Sequence, residues 1–278
     1  MKFLVSESRL GVVSPDGVYL SDRVKGPDPL GAALLEGVDL ADLAAGVLDE
    51  GPPVAMPDIL DPPIRRPSKI LAMGLNYRDH CRESGTPLPE APIEFTKHPS
   101  SLTGHMCPIP LDGALSTEVD YEVELAAVIG RRCRDLDVAN ALDVVAGYTI
   151  GNDVSARDVQ IQDGQWVRAK SFDGFTPLGP VLVTADEIAD PQSLALQTRL
   201  DGELLQDSST AEMVFSIAEL LAFVSRRTTL EPGDILLTGT PHGCGAYRDP
   251  QVFLTPGSTV ECTIEMIGTL TNPVVAYG

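Results

Sequence analysis

Short β-like pieces separated by turn residues open the chain. Three such pieces, KFLVS, GVVS and GVYLS, are divided by turn signals such as PDG. A helical pattern follows in PLGAALLEGVDLADLAAGVL. The next segment, DEGPPVAMPDILDPPIRRP, is too rich in proline for a regular helix or a central strand. We interpret residues 1–66 as a small N-terminal α/β domain with a proline-rich linker, followed by a larger domain over residues 67–278.

The pattern of the larger domain predicts many strands and few helices. KILAMGLN and PGDILLTGTP are apolar runs that end in turn residues, which is typical of buried strands, and STVECTIEMIGTLTNPVV adds more strands. YRDHCRES, DVANALDVVAGY and ELLAFVSRRTTL have helical spacing. Because the helices do not alternate strictly with the strands, we expect an α+β fold with mixed or mostly antiparallel sheets.

The stretch TEVDYEVELAAVIG predicts a half-buried strand with an unusual polar face. Alternate residues of a strand point to opposite sides, and one side here carries Asp120, Glu122 and Glu124 before it becomes apolar. Two carboxylates that point into a partly buried space repel each other and lose hydration, which favours a divalent cation between them. An ordinary exposed strand face is the alternative interpretation.

Asp153, in GYTIGNDVSARD, is the candidate for a third ligand because it lies where an apolar strand ends. With Glu122 and Glu124 it would form an all-oxygen site that suits Mg²⁺, Mn²⁺ or Ca²⁺ better than zinc or copper. Three protein ligands would leave positions for water or a chelating substrate. Helix capping in NDVSARD is the alternative role for Asp153.

A candidate general base lies in LNYRDHCRES. His80 and Glu83 are three residues apart and share a face if the segment is helical. A carboxylate beside an imidazole orients it and raises its basicity, although a chance pair on a surface helix has the same spacing. The loop that follows, GTPLPEAP, has the character of a lid.

Four further residues could contact a substrate. Lys170, in WVRAKSFDGFTPLGP, could pair with a carboxylate or a developing enolate, or it could be a surface lysine. Arg157 and Gln160 follow Asp153 and could face the same cavity or an exposed helix face. Thr240, in LLTGTPHGCG, could help backbone N–H groups bind a carboxylate or could belong to a tight turn. That loop lacks the lysine of a phosphate-binding P-loop.

The composition of the chain restricts the kinds of molecule and the cellular environment that we expect for it. The chain of 278 residues has a net charge of −20, which argues against nucleic acid. No apolar run is long enough for a membrane span, and the N-terminus lacks an apolar signal core, so we expect a cytoplasmic protein. Five cysteines without a CxxC pair predict ordinary free thiols.

Taken together, these segments resemble the fumarylacetoacetate hydrolase superfamily. The resemblance runs from about Lys69 to Pro273, and its motifs occur in family order: GLNYRDH, DYEVELAAVIG, GYTIGNDVSARDVQ, GQWVRAKSFDGFTPLGP, DGELLQDSSTAEMVFSI and LEPGDILLTGTPHGCG. It implies a β-rich catalytic fold of the family's own type, often preceded by a small N-terminal domain. It also implies a homodimer and no organic cofactor.

The resemblance also implies roles for individual residues. Mg²⁺ or Mn²⁺, with Ca²⁺ as a third option, would be bound by Glu122, Glu124 and Asp153. The residues implied in catalysis or substrate contact are His80, Glu83, Lys170, Arg157, Gln160 and Thr240. Many relatives have a proline where His98 follows Lys97 in TKHPSS, so the role of His98 stays open.

The resulting expectation is a metal-dependent hydrolase that cleaves a C–C bond in a 2,4-dioxo acid, such as an acylpyruvate, fumarylpyruvate or a diketo-deoxy sugar acid. His80 would deprotonate a water that attacks the distal carbonyl, and the metal and Lys170 would stabilise the departing pyruvate enolate. Oxaloacetate decarboxylation and hydroxymuconate-type isomerisation are alternatives on the same site. A catalytically silent metal- or ligand-binding homologue is the non-enzyme alternative. Loops 87–93 and 246–252 would shape the distal pocket.

Overall fold

The computed structural model describes residues 1–278. In chain order, the strands are β1 (Lys2–Ser6), β2 (Arg9–Ser14), β3 (Gly17–Lys25), β4 (Ile70–Gly74), β5 (Ile93–Lys97), β6 (Leu102–Thr103), β7 (Ile109–Leu111), β8 (Val119–Asp120), β9 (Val123–Ile129), β10 (Val145–Asn152), β11 (Ser155–Ala156), β12 (Thr176–Thr184), β13 (Ala195–Leu200), β14 (Glu203–Ser209), β15 (Ile235–Leu237), β16 (Thr259–Ile264) and β17 (Gly268–Ala276).

Five short α-helices accompany the strands: α1 (Pro29–Leu35), α2 (Leu40–Leu48), α3 (Arg78–Ser84), α4 (Arg157–Asp163) and α5 (Ile217–Ser225). Single 3₁₀ turns or short 3₁₀ helices lie at Pro99–Ser101, Val138–Val144, Ala185–Glu187, Thr210–Glu212 and Gly245–Tyr247. The longest α-helices have nine residues, and none could cross a bilayer.

Two large sheets pack face to face. The first has the order β3-β2-β1-β12-β10-β9-β15-β4-β5, with β6 beside β12, and the second has the order β14-β13-β16-β17-β7. The pairs β4–β15, β6–β12 and β7–β17 are parallel and the other pairs are antiparallel. The prediction of an α+β fold with mixed, mostly antiparallel sheets is therefore confirmed.

Apolar residues cover both faces of the first sheet. The core between the sheets contains Leu125 and Ala127 of β9 together with Leu196 and Val260 of the second sheet. A second core lies under the helices α1 and α2 and contains Ala126 from the same strand β9. All seven residues of β9 are buried, so the expectation of a half-buried strand is wrong. Helices and the second sheet exclude water from both of its sides.

The N-terminal strands extend the first sheet. Lys2 and Phe3 of β1 pair with Val183 and Leu182 of β12, and Phe3 shares the second core with Ile70 of β4. The proline-rich segment after α2 forms only isolated bridges, such as Val18 with Val54, as its composition predicts. The division of the chain into a small domain of residues 1–66 and a larger domain of residues 67–278 stays a prediction.

Two helical patterns fold differently from the expectation. In DVANALDVVAGY, only Val138–Val144 is helical, as a 3₁₀ helix, because the residues from Val145 onward pair with β9 as strand β10. Helix α5 begins after a capping box formed by Ser216 and Glu219 and ends at Ser225. The sequence RRTTL therefore lies beyond the helix.

The shared core predicts that the N-terminal strands and the catalytic part unfold together. Phe3→Ala removes a fully buried ring and should lower the free energy of unfolding by about 3–5 kcal/mol. The only tryptophan, Trp166, lies outside the N-terminal segment. Its fluorescence and the far-ultraviolet circular dichroism should therefore shift to the same lower urea midpoint. Leu35→Ala, at a side chain that is 63% exposed, is the control. Two separate transitions would contradict the prediction.

Candidate active site

The three predicted metal ligands meet in the structure because strands β9 and β10 are antiparallel neighbours. Glu124 pairs with Gly151, and Val123 pairs with Asn152. This register places Asp153 beside Glu122, and the Asp153 N–H donates to the Glu122 carbonyl oxygen at 2.9 Å. One carboxylate oxygen from each of Glu122, Glu124 and Asp153 lies within 4.8 Å of the other two. All three side chains are buried.

Asp153 does not cap a helix. Helix α4 begins at Arg157 after Ala156, without a side-chain cap. The Asp153 carboxylate instead accepts from Lys97 Nζ and from Lys170 Nζ, each at 2.5 Å. Helix capping is therefore the wrong interpretation of this segment.

Part of the negative charge of the carboxylate cluster is neutralised by three side chains: Lys97, which contacts Asp153, and Lys170 and Arg157, which contact Glu122. Lys170 Nζ lies 2.8 Å from Glu122 Oε2, and Arg157 Nη2 lies 2.5 Å from Glu122 Oε1. Arg157 Nε also donates to Asp120 Oδ2 at 2.9 Å. Burial raises the pKa of Glu122, but Lys170 and Arg157 outweigh it, and the pKa falls below its ordinary value. Glu122 is therefore held ionised.

Glu124 lacks a basic partner. The only hydrogen bond to its carboxylate comes from the Gly239 N–H, at 2.8 Å. Burial, Asp153 and Glu122 together raise its pKa well above the ordinary value. A divalent cation between the three carboxylates would supply the missing positive charge. The residues therefore fit a hard, oxygen-preferring ion such as Mg²⁺ or Mn²⁺. The donor set does not select between these ions.

His80 and Glu83 lie on α3, and the His80 side chain forms part of the wall of the same cavity. His80 Nδ1 is 3.3 Å from Glu83 Oε2, and the other oxygen of Glu83 accepts from the Gly243 N–H at 2.8 Å. The ring of Tyr247 meets the imidazole edge-on, with centroids 5.3 Å apart. The imidazole is therefore held from two sides, as a positioned general base requires.

The cavity has a volume of about 530 Å³ and brings together eight of the nine predicted residues. Its wall includes His80, Glu122, Glu124, Asp153, Arg157, Gln160, Lys170 and Thr240. Glu83 is not part of the wall and stands behind His80. Gln160 accepts from Arg157 Nη1 at 3.2 Å, and Thr240 accepts from Gln206 Nε2 at 3.0 Å. Their assignment as substrate contacts stays a prediction.

Of the two loops that were expected to shape the distal pocket, one lines the cavity, and its role at the distal end of a substrate stays a prediction. Ala246, Tyr247 and Gln251 line the cavity, whereas no residue of 87–93 does so. The cavity is also lined by Phe95 and Trp166, whose rings meet edge-on with centroids 5.2 Å apart. His98 is exposed and lies outside the cavity wall.

Sequence reasoning missed three residues that support the site. Lys97 is fully buried between Asp153 and the carbonyl of Phe175, and nothing in IEFTK distinguishes it from a surface lysine. Asp120 holds Arg157 and accepts from the Gly245 N–H at 2.7 Å. Its place on the same strand face as Glu122 was a usable signal. Gln206 connects Thr240 to the Val123 N–H, and no sequence pattern marks it.

The chain matches known proteins over most of its length. The family model described as "Fumarylacetoacetate (FAA) hydrolase C-terminal" matches residues 69–275. The rat protein named "Oxaloacetate tautomerase Fahd2a, mitochondrial" is 49% identical over 218 residues, which cover 77% of this chain and 68% of that protein.

Solved structures share the whole fold. The fumarylacetoacetate hydrolase of Exiguobacterium antarcticum is 39% identical and superposes with a TM-score of 0.88, with 100% of both chains covered. The 5-carboxymethyl-2-hydroxymuconate delta-isomerase of Mycobacterium smegmatis is 36% identical, with a TM-score of 0.72 and 100% of both chains covered. With a family model over residues 69–275 and relatives of this similarity, the chain belongs to the fumarylacetoacetate hydrolase family of enzymes.

Proposed function

We propose that this enzyme uses a divalent metal to interconvert the keto and enol forms of a 2-oxo diacid of the oxaloacetate type. The observation that carries the proposal is the position of His80, which contacts Glu83 and lines the same cavity as Glu122, Glu124 and Asp153. The arrangement sets a base beside a site where a 2-oxo acid can chelate an ion. The name of the rat relative, an oxaloacetate tautomerase, supports the same reaction.

The charges of the buried side chains around the proposed metal site support an anionic substrate. Asp120, Glu122, Glu124 and Asp153 contribute four negative charges, and Lys97, Lys170 and Arg157 contribute three positive charges. A doubly charged cation would leave this cluster with one net positive charge. In a buried site of low dielectric, that excess attracts a carboxylate strongly.

The ion, when bound to Glu122, Glu124 and Asp153, would act as a Lewis acid that polarises the 2-oxo group. His80 takes a proton from the carbon next to that group, and Glu83 holds the imidazole in the tautomer that can accept it. Lys170 stabilises the negative charge that develops on the 2-oxo oxygen. Burial lowers the pKa of Lys170, but Asp153 and Glu122 raise it above its ordinary value. Lys170 therefore acts as a fixed positive charge. The imidazolium returns the proton to the oxygen, which gives the enol.

Hydrolysis of a C–C bond in a 2,4-dioxo acid is the second candidate. The same His80–Glu83 pair could activate a water, and the cavity of about 530 Å³ is larger than a four-carbon diacid needs. Release of pyruvate from acylpyruvates or diketo-deoxy sugar acids would identify this reaction. Loss of the enol absorbance of oxaloacetate without loss of carbon dioxide would identify tautomerisation, and loss of carbon dioxide would identify decarboxylation.

Homodimer formation and a cytoplasmic location stay predictions for this chain. The rat relative is named as mitochondrial. Gel filtration with light scattering would measure the oligomeric state, and fractionation of the source cells would test the location.

Metal binding can be tested at Glu124, because this carboxylate has no basic partner to disturb. Saturating Mg²⁺ or Mn²⁺ should stabilise the chelator-treated wild type by about 2.7 kcal/mol at a hundredfold excess over Kd. Glu124→Gln should abolish that stabilisation and leave the metal-free protein at least as stable, since an amide replaces a buried carboxylate. Thermal melting with calorimetric titration measures both effects.

Glu118→Gln is the matched control for Glu124→Gln. Glu118 also lines the cavity, but it lies outside the group of three carboxylates. The control should keep the full metal-induced shift. A wild-type shift in Glu124→Gln would overturn the metal assignment.

His80→Ala should lower kcat by about 10²–10⁴-fold and leave the metal-induced rise in melting temperature unchanged, because His80 is not one of the three carboxylate ligands. The assay follows enol absorbance on oxaloacetate and pyruvate release on acylpyruvates. His98→Ala, at an exposed histidine outside the cavity, should keep wild-type activity. Wild-type turnover by His80→Ala on a confirmed substrate would remove His80 from the mechanism.

A further inference from the structure

A second cluster of possible metal ligands lies beside the carboxylate site. One donor atom from each of His80, Glu83 and Cys244 lies within 4.8 Å of the other two. His80 and Cys244 are buried and Glu83 is half-buried. The Gly243 N–H donates to Glu83 Oε1 at 2.8 Å, and this bond brings the next residue, Cys244, against helix α3.

The donors of this cluster differ in kind from those of the carboxylate site. An imidazole nitrogen, a thiol sulfur and one carboxylate oxygen suit Zn²⁺ and similar thiophilic ions, whereas three carboxylates suit Mg²⁺ or Mn²⁺. Zinc bonds of about 2.0–2.3 Å would place neighbouring ligands roughly 3.5 Å apart in a tetrahedral site. The donors are already within 4.8 Å of one another, so side-chain rotations of modest size would close the site.

We propose that His80, Glu83 and Cys244 form a second metal site, which takes a thiophilic divalent ion such as Zn²⁺ and thereby stops catalysis. The binding part stands on the cluster itself, and the inhibitory part rests on the proposed function of His80. Nothing in the reaction proposed above uses Cys244.

The charges and protons of the site balance. Binding converts the Cys244 thiol to a thiolate and releases its proton to solvent. The thiolate and the Glu83 carboxylate then carry two negative charges, which neutralise the divalent ion, and His80 binds as a neutral imidazole. A buried site with no net charge avoids the cost of an unpaired buried ion.

Inhibition follows from the electronic structure of imidazole. A neutral imidazole has one basic ring nitrogen, and the other nitrogen carries the proton. An ion that binds either ring nitrogen leaves the ring proton on the other nitrogen, so no lone pair remains and His80 can no longer accept a proton. The ion also draws Glu83 away from its role in orienting the ring. Occupation of the site therefore removes the base without displacing Mg²⁺ from the three carboxylates.

Cobalt(II) provides a direct test of binding that does not depend on activity. With excess Mg²⁺ present to fill the carboxylate site, Co²⁺ should give the near-ultraviolet charge-transfer band of a cobalt–thiolate bond. Cys244→Ser should lose the band, and Cys262→Ser, at a buried cysteine of β16 outside the cluster, should keep it. No band in the wild type, or a full band in Cys244→Ser, would overturn the site.

Inhibition is measured with Zn²⁺ at saturating Mg²⁺. Cys244→Ser should keep the basal turnover and should need about tenfold or more Zn²⁺ for half inhibition. Equal inhibition of the wild type and Cys244→Ser, relieved by more Mg²⁺, would assign the effect to the carboxylate site and overturn the regulatory proposal. If no substrate is turned over, the proposed function fails, and the cobalt band still decides the binding site.

If Cys244→Ser does not fold, a second variant, Glu83→Gln, tests the same site. Glu83→Gln keeps the thiol, so the cobalt band should persist while the Co²⁺ affinity falls by about tenfold or more. Unchanged affinity would exclude Glu83 from the site and contradict the three-ligand arrangement.

Discussion

The structure depends on the neutralisation of four buried carboxylates in one small volume. Asp120, Glu122, Glu124 and Asp153 each have at most 5% of their surface exposed. An ionised carboxylate that is buried without a partner costs several kcal/mol, so this group is stable only with cations close by. Lys97, Lys170 and Arg157 supply three positive charges, each from a different part of the chain. Glu124 has no such partner, and the proposed divalent ion would supply the positive charge beside it.

The fold meets this constraint by dividing the site between rigid and peripheral elements. The ligands lie on or directly beside β9 and β10, which are central strands of a sheet covered on both faces. His80 and Glu83, the proposed base and its partner, lie on the short helix α3, and Tyr247, which contacts His80, lies on a loop. Relatives with the same fold are named as a tautomerase, an isomerase and a hydrolase. One fold can therefore support different reactions, because function depends on the residues of the site and not on the fold alone.

The meeting of the three carboxylates was predictable from the sequence, and most of their partners were not. Glu122 and Glu124 are two apart on one strand, and Asp153 follows the next strand, so local patterns and family motifs are enough to identify them. Lys97 reaches Asp153 across 56 positions of the sequence, and an isolated lysine has no local feature that reveals burial. The pairing of β1 with β12 joins residues about 180 positions apart, and periodicity carries no information about such long-range pairs. The burial of β9 on both faces was missed for the same reason, because it depends on α1, α2 and the second sheet.

The size of the substrate decides which reaction this arrangement can perform. Every candidate reaction would place negative charge on the 2-oxo oxygen, and Lys170, which is fixed by Glu122 and Asp153, is the group proposed to stabilise that charge. A four-carbon diacid such as oxaloacetate has a carboxylate and no ketone at the distal position, so the proposed role of His80 on it is limited to the proton next to the 2-oxo group. A longer 2,4-dioxo acid would present a second carbonyl that water can attack. Under the proposed mechanism, the space available beyond the 2-oxo group would therefore decide whether His80 transfers a proton or activates water.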